Sequence, residues 1–256
     1  MKTLPQQRIR AFYRALMDTY GQQHWWPARS RFEVIVGAYL TQNTAWTNVG
    51  HALKRLRKER LLSAYGIRRT ATEQLEQVIR SAGFFRQKAR SLKKFVDFLD
   101  ESYGGSLNRM FAQPTANLRR QLLRLNGVGP ETADSILLYA GGHPVFVVDA
   151  YTRRILERHG TMPVGAAYED IRQLFEGALG GEESVAEQNS GRAFMQNPNS
   201  AGSHRPSPMS TAKRTAVAQR YNEMHALIVR VGKNHCLKVQ AQCNLCPLQK
   251  FLPNEK

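Results

Sequence analysis

LLRLNGVGPETADSILLYA, residues 122–140, is the stretch that decides the fold. A helix ending near Leu125 is followed by a Gly-Val-Gly triplet at 127–129, and Pro130 then opens a second helix. Proline suits the first helical position because its missing N–H would have no intrahelical partner there. The spacing therefore predicts two helices joined by a tight hairpin.

This hairpin has the chemistry of a phosphate-binding site. Its glycines allow tight or left-handed backbone angles and leave no side chain in the way. The hairpin amides and the N-terminus of the second helix can then point at a phosphate oxygen, a contact that reads no base sequence. We predict that Gly127, Val128, Gly129 and Thr132 contact DNA. A plain helical turn is the structural alternative, and the same hairpin suits DNA-binding proteins that catalyse nothing.

Apolar residues at helical spacing continue on both sides of the hairpin. Further helices are predicted over residues 7–20, 31–40, 47–56, 72–81, 87–99 and 217–231. The one candidate strand is the short apolar run at 145–148. The fold class is therefore predicted to be all-α.

The charge balance points to a polyanionic partner. The 256 residues carry 37 Lys and Arg against 20 Asp and Glu, a net charge of +17. Such a chain accumulates on nucleic acid by releasing counterions, although a merely cationic solvated surface is the alternative. No apolar run is long enough for a membrane span, and residues 1–10 lack the apolar stretch of a signal peptide. We expect a monomer without a membrane partner in the cytoplasm, nucleoid-associated if bacterial.

Residues 182–215 differ from the rest of the chain. They are rich in Ser, Asn, Gln, Pro and Gly and include QNPNSAGSHRPSPMS at 196–210. A segment with so few large apolar residues does not bury enough surface to offset its ordering entropy. We predict a disordered insertion between two helices.

Asp149 follows the apolar run and stands at the start of a predicted helix. Aspartate is a favoured N-cap residue, and the helix dipole keeps a carboxylate at this position ionised. An ionised carboxylate can stabilise a cationic sugar or activate water. The capping role and a catalytic role are therefore compatible.

Two of these motifs together carry a family resemblance. LNGVGPETA at 125–133, followed by VVDAYTRR at 147–154, resembles the endonuclease III superfamily of helix–hairpin–helix base-excision glycosylases over about residues 32–248. The resemblance implies that Asp149 is the catalytic carboxylate. It also implies that Gln42, in LTQNT at 40–44, fills the gap left by an extruded base.

We expect two helical lobes with a DNA-binding cleft between them. Residues 28–142 form the lobe with the helix–hairpin–helix motif. Residues 1–27 and 143–235 form the second lobe, which includes the insertion, and residues 236–256 form a cysteine loop and tail.

One departure from the family pattern concerns the reaction. Bifunctional members carry a lysine immediately before the Thr-Ala of the hairpin helix, where it forms a Schiff base with the sugar. Glu131 occupies this position. A carboxylate cannot act as that nucleophile, so we expect hydrolysis by water without β-lyase activity.

The three tryptophans suggest which base is removed. WWP at 25–27, LTQNT, GFFRQKA at 83–89, the hairpin and VVD together are similar to the 3-methyladenine DNA glycosylase III branch. Indole is the best side chain for holding a cationic alkylated purine over its face. We expect Trp25, Trp26 and Trp46 to line the base pocket, with a core position as the alternative. Rival functions are a mismatch glycosylase for adenine or thymine and a non-catalytic DNA-binding protein.

All cysteines lie near the C-terminal end, with the spacing C-x6-C-x2-C at Cys236, Cys243 and Cys246. In an intracellular protein this spacing favours metal ligation over disulfides. It resembles the iron–sulfur loop of endonuclease III, except that Leu252 stands where that loop has its fourth cysteine. Three alternatives remain. They are a [4Fe-4S] cluster with an unidentified fourth ligand, which we favour, zinc held by the three cysteines and His235, and no metal.

Overall fold

The computed structural model of the protein describes residues 4–181 and 205–253. These ranges form twelve α-helices and no β-strand, which confirms the predicted all-α class. The helices are α1 (Pro5–Tyr20), α2 (Arg31–Leu40), α3 (Trp46–Lys58), α4 (Ala64–Arg69), α5 (Thr72–Val78), α6 (Phe85–Tyr103), α7 (Leu107–Phe111), α8 (Thr115–Leu123), α9 (Pro130–Ser135), α10 (Ala150–Arg158), α11 (Tyr168–Leu179) and α12 (Ala216–Asn234). A π-helical segment, Ile136–Gly141, continues α9, and short 3₁₀ turns lie at Arg80–Ala82, Cys243–Leu245 and Gln249–Phe251. None of the described helices has the length and apolarity needed to span a bilayer.

The chain divides into two compact units. Residues 28–143 and 207–209 form the first, called here the hairpin unit. Residues 1–27, 144–206 and 210–256 form the second, called here the Asp149 unit. The first boundary follows His143, whereas the sequence predicts it after Gly142. The cysteine loop belongs to the Asp149 unit and does not form a separate segment.

Helix α2 is the central helix of the hairpin unit. Ser30 caps its start, with Oγ accepting from the Glu33 N–H at 3.1 Å. Residues 32–40 are all buried, so the helix is surrounded by its own unit. At its end, Lys88 of α6 donates from Nζ to the Leu40 carbonyl at 2.9 Å and to the Ala82 carbonyl at 2.7 Å. These bonds satisfy carbonyls that lie in the protein interior.

Helix α12 has the central place in the Asp149 unit. Thr215 caps it, with Oγ1 accepting from the Ala218 N–H at 3.2 Å. Helix α10 packs against it so closely that a Cβ at Gly232 would lie 2.1 Å from Cδ1 of Tyr151. Glycine is therefore required where these two helices meet.

The apolar run at 145–148 is not a strand, so that candidate element was wrong. Its residues are buried in an irregular segment. The Phe146 N–H donates to Oε1 of Glu176 at 2.9 Å, and the Val148 N–H donates to the Tyr168 hydroxyl at 3.3 Å. Because α11 side chains satisfy these amides, the segment needs no partner strand.

The predicted insertion is described only in part. Residues 182–204 lie outside the described residues. Residues 205–215 are irregular apart from a turn at 208–211. Met209 is buried and donates its N–H to the Ala28 carbonyl at 3.1 Å.

Candidate active site

The hairpin between α8 and α9 has a conformation that requires glycine at one position. Gly127 has φ of +82°, in the left-handed region, and a Cβ there would lie 2.6 Å from Oγ of Ser91. Gly129 has φ of −89°, and a Cβ there would meet no atom within 4 Å. The first glycine is thus required by the fold, whereas the second leaves open space beside the hairpin.

Val128 packs in the interior of the hairpin. Its side chain is buried, and its N–H donates to the Leu125 carbonyl at 3.1 Å. Both groups are used within the protein. Contact of Val128 with DNA stays a prediction.

Gln42 lies against the hairpin. Its Nε2 donates to the Gly127 carbonyl and to Oγ1 of Thr132, both at 2.8 Å. The residue predicted to fill the gap in the duplex therefore contacts two of the predicted phosphate-binding residues. The sequence predicted both groups but not this contact, which joins residues 85 and 90 positions apart.

A buried ion pair supports the second helix of the hairpin. Arg119 of α8 donates to both carboxylate oxygens of Asp134 in α9, at 2.7 and 3.1 Å. Asp134 is fully buried. This bidentate pair fixes α8 against α9, and no motif in the sequence identified it.

Asp149 caps α10, as the sequence predicts. Its Oδ1 accepts from the Thr152 N–H at 2.8 Å and from the Thr152 hydroxyl at 2.9 Å. The Asp149 N–H donates a hydrogen bond of 3.4 Å to Oγ1 of Thr152, which completes a capping box. One carboxylate oxygen is thereby committed to the helix end.

The second oxygen of Asp149 faces a histidine. Oδ2 lies 3.6 Å from Nε2 of His225 in α12, and 13% of the Asp149 side chain is exposed. Burial acts to raise the pKa of Asp149, but His225 and the Thr152 donors outweigh it and hold the pKa below its usual value. The carboxylate is thus ionised at neutral pH and retains a narrow contact with solvent.

Lys233 of α12 lies near the Trp25 ring and is close enough to Asp149 for an electrostatic interaction. Its Nζ lies 6.0 Å from the centroid of the Trp25 ring. Burial lowers the pKa of Lys233, while its attraction to Asp149 acts in the opposite direction. Neither His225 nor Lys233 had a signal in the sequence, because both depend on where α12 packs.

The three tryptophans fall in different units. Trp25 and Trp26 are buried in the Asp149 unit, with ring centroids 5.2 Å apart. The Trp25 carbonyl accepts from Nδ2 of Asn222 in α12 at 2.8 Å. Trp46 is the first residue of α3 in the hairpin unit and is partly exposed. Glu131, also in the hairpin unit, lies exposed in the first turn of α9.

The three cysteines line one small cavity, together with His235 and Leu252. Burial raises the pKa of the Cys246 thiol, the Leu248 N–H opposes this, and the two other cysteines add to it. In the described ranges, no group of three or more His, Cys, Asp or Glu side chains is placed to hold a metal ion.

The cysteine loop is anchored to α10, the helix that Asp149 caps. Nη1 of Arg158 donates to Sγ of Cys236 at 3.2 Å and to the Leu237 carbonyl at 2.8 Å. Nε of Arg154 donates to the Cys236 carbonyl at 2.7 Å. The loop therefore supports the helix that presents the candidate catalytic carboxylate.

The chain is similar to known DNA repair proteins. Residues 36–179 match the model of the HhH-GPD superfamily of base excision DNA repair proteins. A candidate DNA repair glycosylase of Methanocaldococcus jannaschii is 38% identical over 252 residues, which is 98% of each chain.

Two solved structures are similar along nearly the whole chain. The H. pylori 3-methyladenine DNA glycosylase bound to 1,N6-ethenoadenine has a TM-score of 0.69 at 25% identity, covering 93% of this chain and 100% of that one. A non-covalent endonuclease III–DNA complex has a TM-score of 0.70 at 22% identity, covering 98% and 96%, and supports the fold alone. The resemblance to the superfamily and to its 3-methyladenine branch is thus confirmed. This chain belongs to the HhH-GPD superfamily of base excision DNA repair glycosylases.

Proposed function

We propose that this protein hydrolyses the N-glycosidic bond of alkylated purines such as 3-methyladenine in double-stranded DNA. The observation that carries the proposal is Asp149, a partly exposed carboxylate whose pKa is held below its usual value by His225 and Thr152. An ionised carboxylate can stabilise the cationic sugar or direct the attacking water. The protein acts as a monomer in the cytoplasm, at the nucleoid if its source is bacterial.

The choice of base follows from the chemistry of the leaving group. A purine alkylated on a ring nitrogen carries positive charge and leaves without a strong general acid, so one carboxylate suffices. Trp25 and Trp26, in the unit that carries Asp149, provide aromatic faces for the extruded base. A pocket role for Trp46 stays a prediction. The similarity to a 3-methyladenine DNA glycosylase supports this substrate class over a mismatched adenine or thymine.

Binding to the duplex is assigned to the hairpin unit. Gly129 leaves open space beside the hairpin amides, and Gln42 lies within hydrogen-bonding distance of the same hairpin. We propose that the hairpin holds a phosphate while Gln42 replaces the extruded base. The net charge of +17 supplies the general attraction to DNA.

The enzyme is proposed to be monofunctional. Glu131 stands where bifunctional relatives carry their Schiff-base lysine, and it is exposed in the first turn of α9. Lys233 is the amine to examine if strand cleavage occurs, because burial lowers its pKa beside Asp149.

We also propose that the cysteine loop holds an iron–sulfur cluster. Cys236, Cys243 and Cys246 line a common cavity, and an Arg158 N–H points at one of the sulfurs. Thiolates are the usual ligands of such clusters. The cluster would stabilise the loop and, through Arg154 and Arg158, helix α10.

Base release from methylated duplex DNA tests the catalytic proposal, with 3-methyladenine and 7-methylguanine resolved from each other. We expect the wild type to release 3-methyladenine without nicking the strand. Asp149→Asn should release none while binding duplex nearly as well, because the amide retains the capping geometry but not the charge. Asp170→Asn, an exposed carboxylate change on α11, is the matched control.

Three outcomes would contradict this proposal in different ways. Release of mismatched adenine or thymine only would indicate the mismatch function. Intact binding without release from any substrate would indicate a non-catalytic DNA-binding protein. Strand nicking with borohydride trapping would overturn the monofunctional mechanism, and loss of trapping in Lys233→Met would identify the amine.

A further inference from the structure

The cysteine loop presents three thiols where a cubane cluster has four ligands. The position at which the related loop carries a fourth cysteine is Leu252, whose side chain lines the same cavity and has no donor atom. A fourth ligand from this chain must therefore come from another part of the cavity wall.

Two histidines, His159 and His235, line the cavity with the cysteines. The ring nitrogens of His159 already lie 2.8 and 3.3 Å from backbone carbonyls, so His235 is the better donor. It ends α12, directly precedes Cys236, and lines the cavity with the three cysteines. Its Nδ1 atom is buried and has no hydrogen-bond partner among the described residues. A buried polar atom without a partner costs stability, which a ligand bond would offset.

The other ring nitrogen of His235 already has a hydrogen-bond partner. Nε2 lies 2.8 Å from the hydroxyl of Tyr20 in α1. With its proton on Nε2, the imidazole donates to Tyr20 and keeps the lone pair of Nδ1 for a ligand bond. A second hydrogen bond of this kind is how proteins commonly fix the tautomer and orientation of a metal-binding histidine.

The donor set, three thiols and one imidazole, has the chemistry that an iron–sulfur cluster requires. Zinc draws four ligands to within about 2.0–2.3 Å of one point. Among the described residues, no group of three or more His, Cys, Asp or Glu side chains is placed to hold a metal ion, but all three thiols and His235 border one cavity. A cubane separates its ligands, because each binds a different iron atom.

We infer that Nδ1 of His235 is the fourth ligand of a Cys₃His iron–sulfur cluster in this protein. The inference rests on the proposed iron–sulfur site and adds the identity of the ligand. Arg158, which donates to Sγ of Cys236, places a positive charge beside the thiolates.

Iron and sulfide content of the full-length protein, purified and reconstituted without oxygen, tests the inference. We expect about four irons per wild-type chain, with histidine nitrogen coupling in the pulsed EPR spectrum of the paramagnetic state. His235→Ala should lose iron by roughly tenfold or more, and His235→Cys should keep iron but lose the nitrogen coupling. His51→Ala, an exposed histidine change in α3, should match the wild type.

A rescue variant keeps the test informative if His235→Ala folds poorly. Leu252→Cys, added to His235→Ala, places a thiol at the cavity wall and should restore the iron content. An iron-free wild type, or one holding a single zinc, would overturn the iron–sulfur site itself. Wild-type iron with an unchanged spectrum in His235→Ala would overturn only the assignment of His235.

Discussion

At the scale of single residues, Asp149 combines two tasks that need the same charge state. Its Oδ1 atom caps α10, and its Oδ2 atom lies beside His225. His225 and Thr152 lower the pKa of Asp149 and so favour its ionised form. Burial alone would favour the neutral form. The cap thus contributes to the charge that the proposed reaction requires.

His225→Leu should shift the pH dependence of base release. Without the imidazole, the effect of burial on the pKa of Asp149 is less opposed, so this pKa rises. The ionised fraction at a given acidic pH then falls, and the acid limb of the rate profile moves to higher pH. Single-turnover rates from about pH 5 to about pH 9, corrected for release without enzyme, measure this. An acid limb that coincides with those of the wild type and His51→Leu would contradict the role of His225.

Lys88 holds the end of α2 from which Gln42 extends. Its amine donates hydrogen bonds to the buried carbonyls of Leu40 and Ala82. Burial lowers the pKa of Lys88 from 10.5 to about 8. Lys88→Met should therefore destabilise the protein by about 1–3 kcal/mol, because both carbonyls lose their donor.

The same variant has a defined pH dependence. Between about pH 8 and pH 10.5 the unfolded wild type binds more protons than the folded one, so wild-type stability rises with pH. The difference in free energy of unfolding between the wild type and Lys88→Met should widen across this window. Urea unfolding at several pH values measures it, with Lys94→Met, an exposed change on α6, as the control. A difference that narrows would be inconsistent with a depressed pKa.

At the scale of elements, we expect the two glycines of the hairpin to have different roles: Gly127 is needed for folding and Gly129 for binding DNA. Gly127→Ala meets Ser91 and adopts a left-handed backbone, so it should cost about 1–3 kcal/mol of stability. Gly129→Ala meets nothing and has an ordinary φ, so its stability should be near that of the wild type. Its methyl group projects into the open space beside the hairpin and should weaken duplex binding. Thermal unfolding and binding titrations separate the two effects, and full binding by Gly129→Ala would exclude this face as the phosphate site.

At the scale of the whole molecule, the net charge of +17 governs the encounter with DNA. The logarithm of the binding constant for undamaged duplex should fall linearly with the logarithm of salt concentration. With about six phosphates contacted, affinity falls on the order of a thousandfold between about 50 and 200 mM salt. Titrations over this range measure the slope, and a slope near zero would show that counterion release does not drive binding. Base release from the saturated complex should depend far less on salt.

The sequence by itself determined the helical class, the hairpin and the cap. Helical periodicity, Pro130 at the start of α9 and Gly127 in the turn act on the few residues beside them. Asp149 and Thr152 belong to the same helical turn, so their capping bond is also local. Such features can be predicted from the sequence because a short segment specifies each of them.

Only the tertiary structure decided which distant groups meet. It brings His225 to Asp149, Gln42 to the hairpin, and His235 to the cavity that the cysteines line. It also satisfies the amides of Phe146 and Val148 with α11 side chains, and residues 145–148 form no strand. These contacts follow from burying apolar faces against one another, and the packing of α12 depends on the whole of its unit. The physical reason is that burial is non-directional and long-range in sequence, whereas capping, turns and periodicity are local.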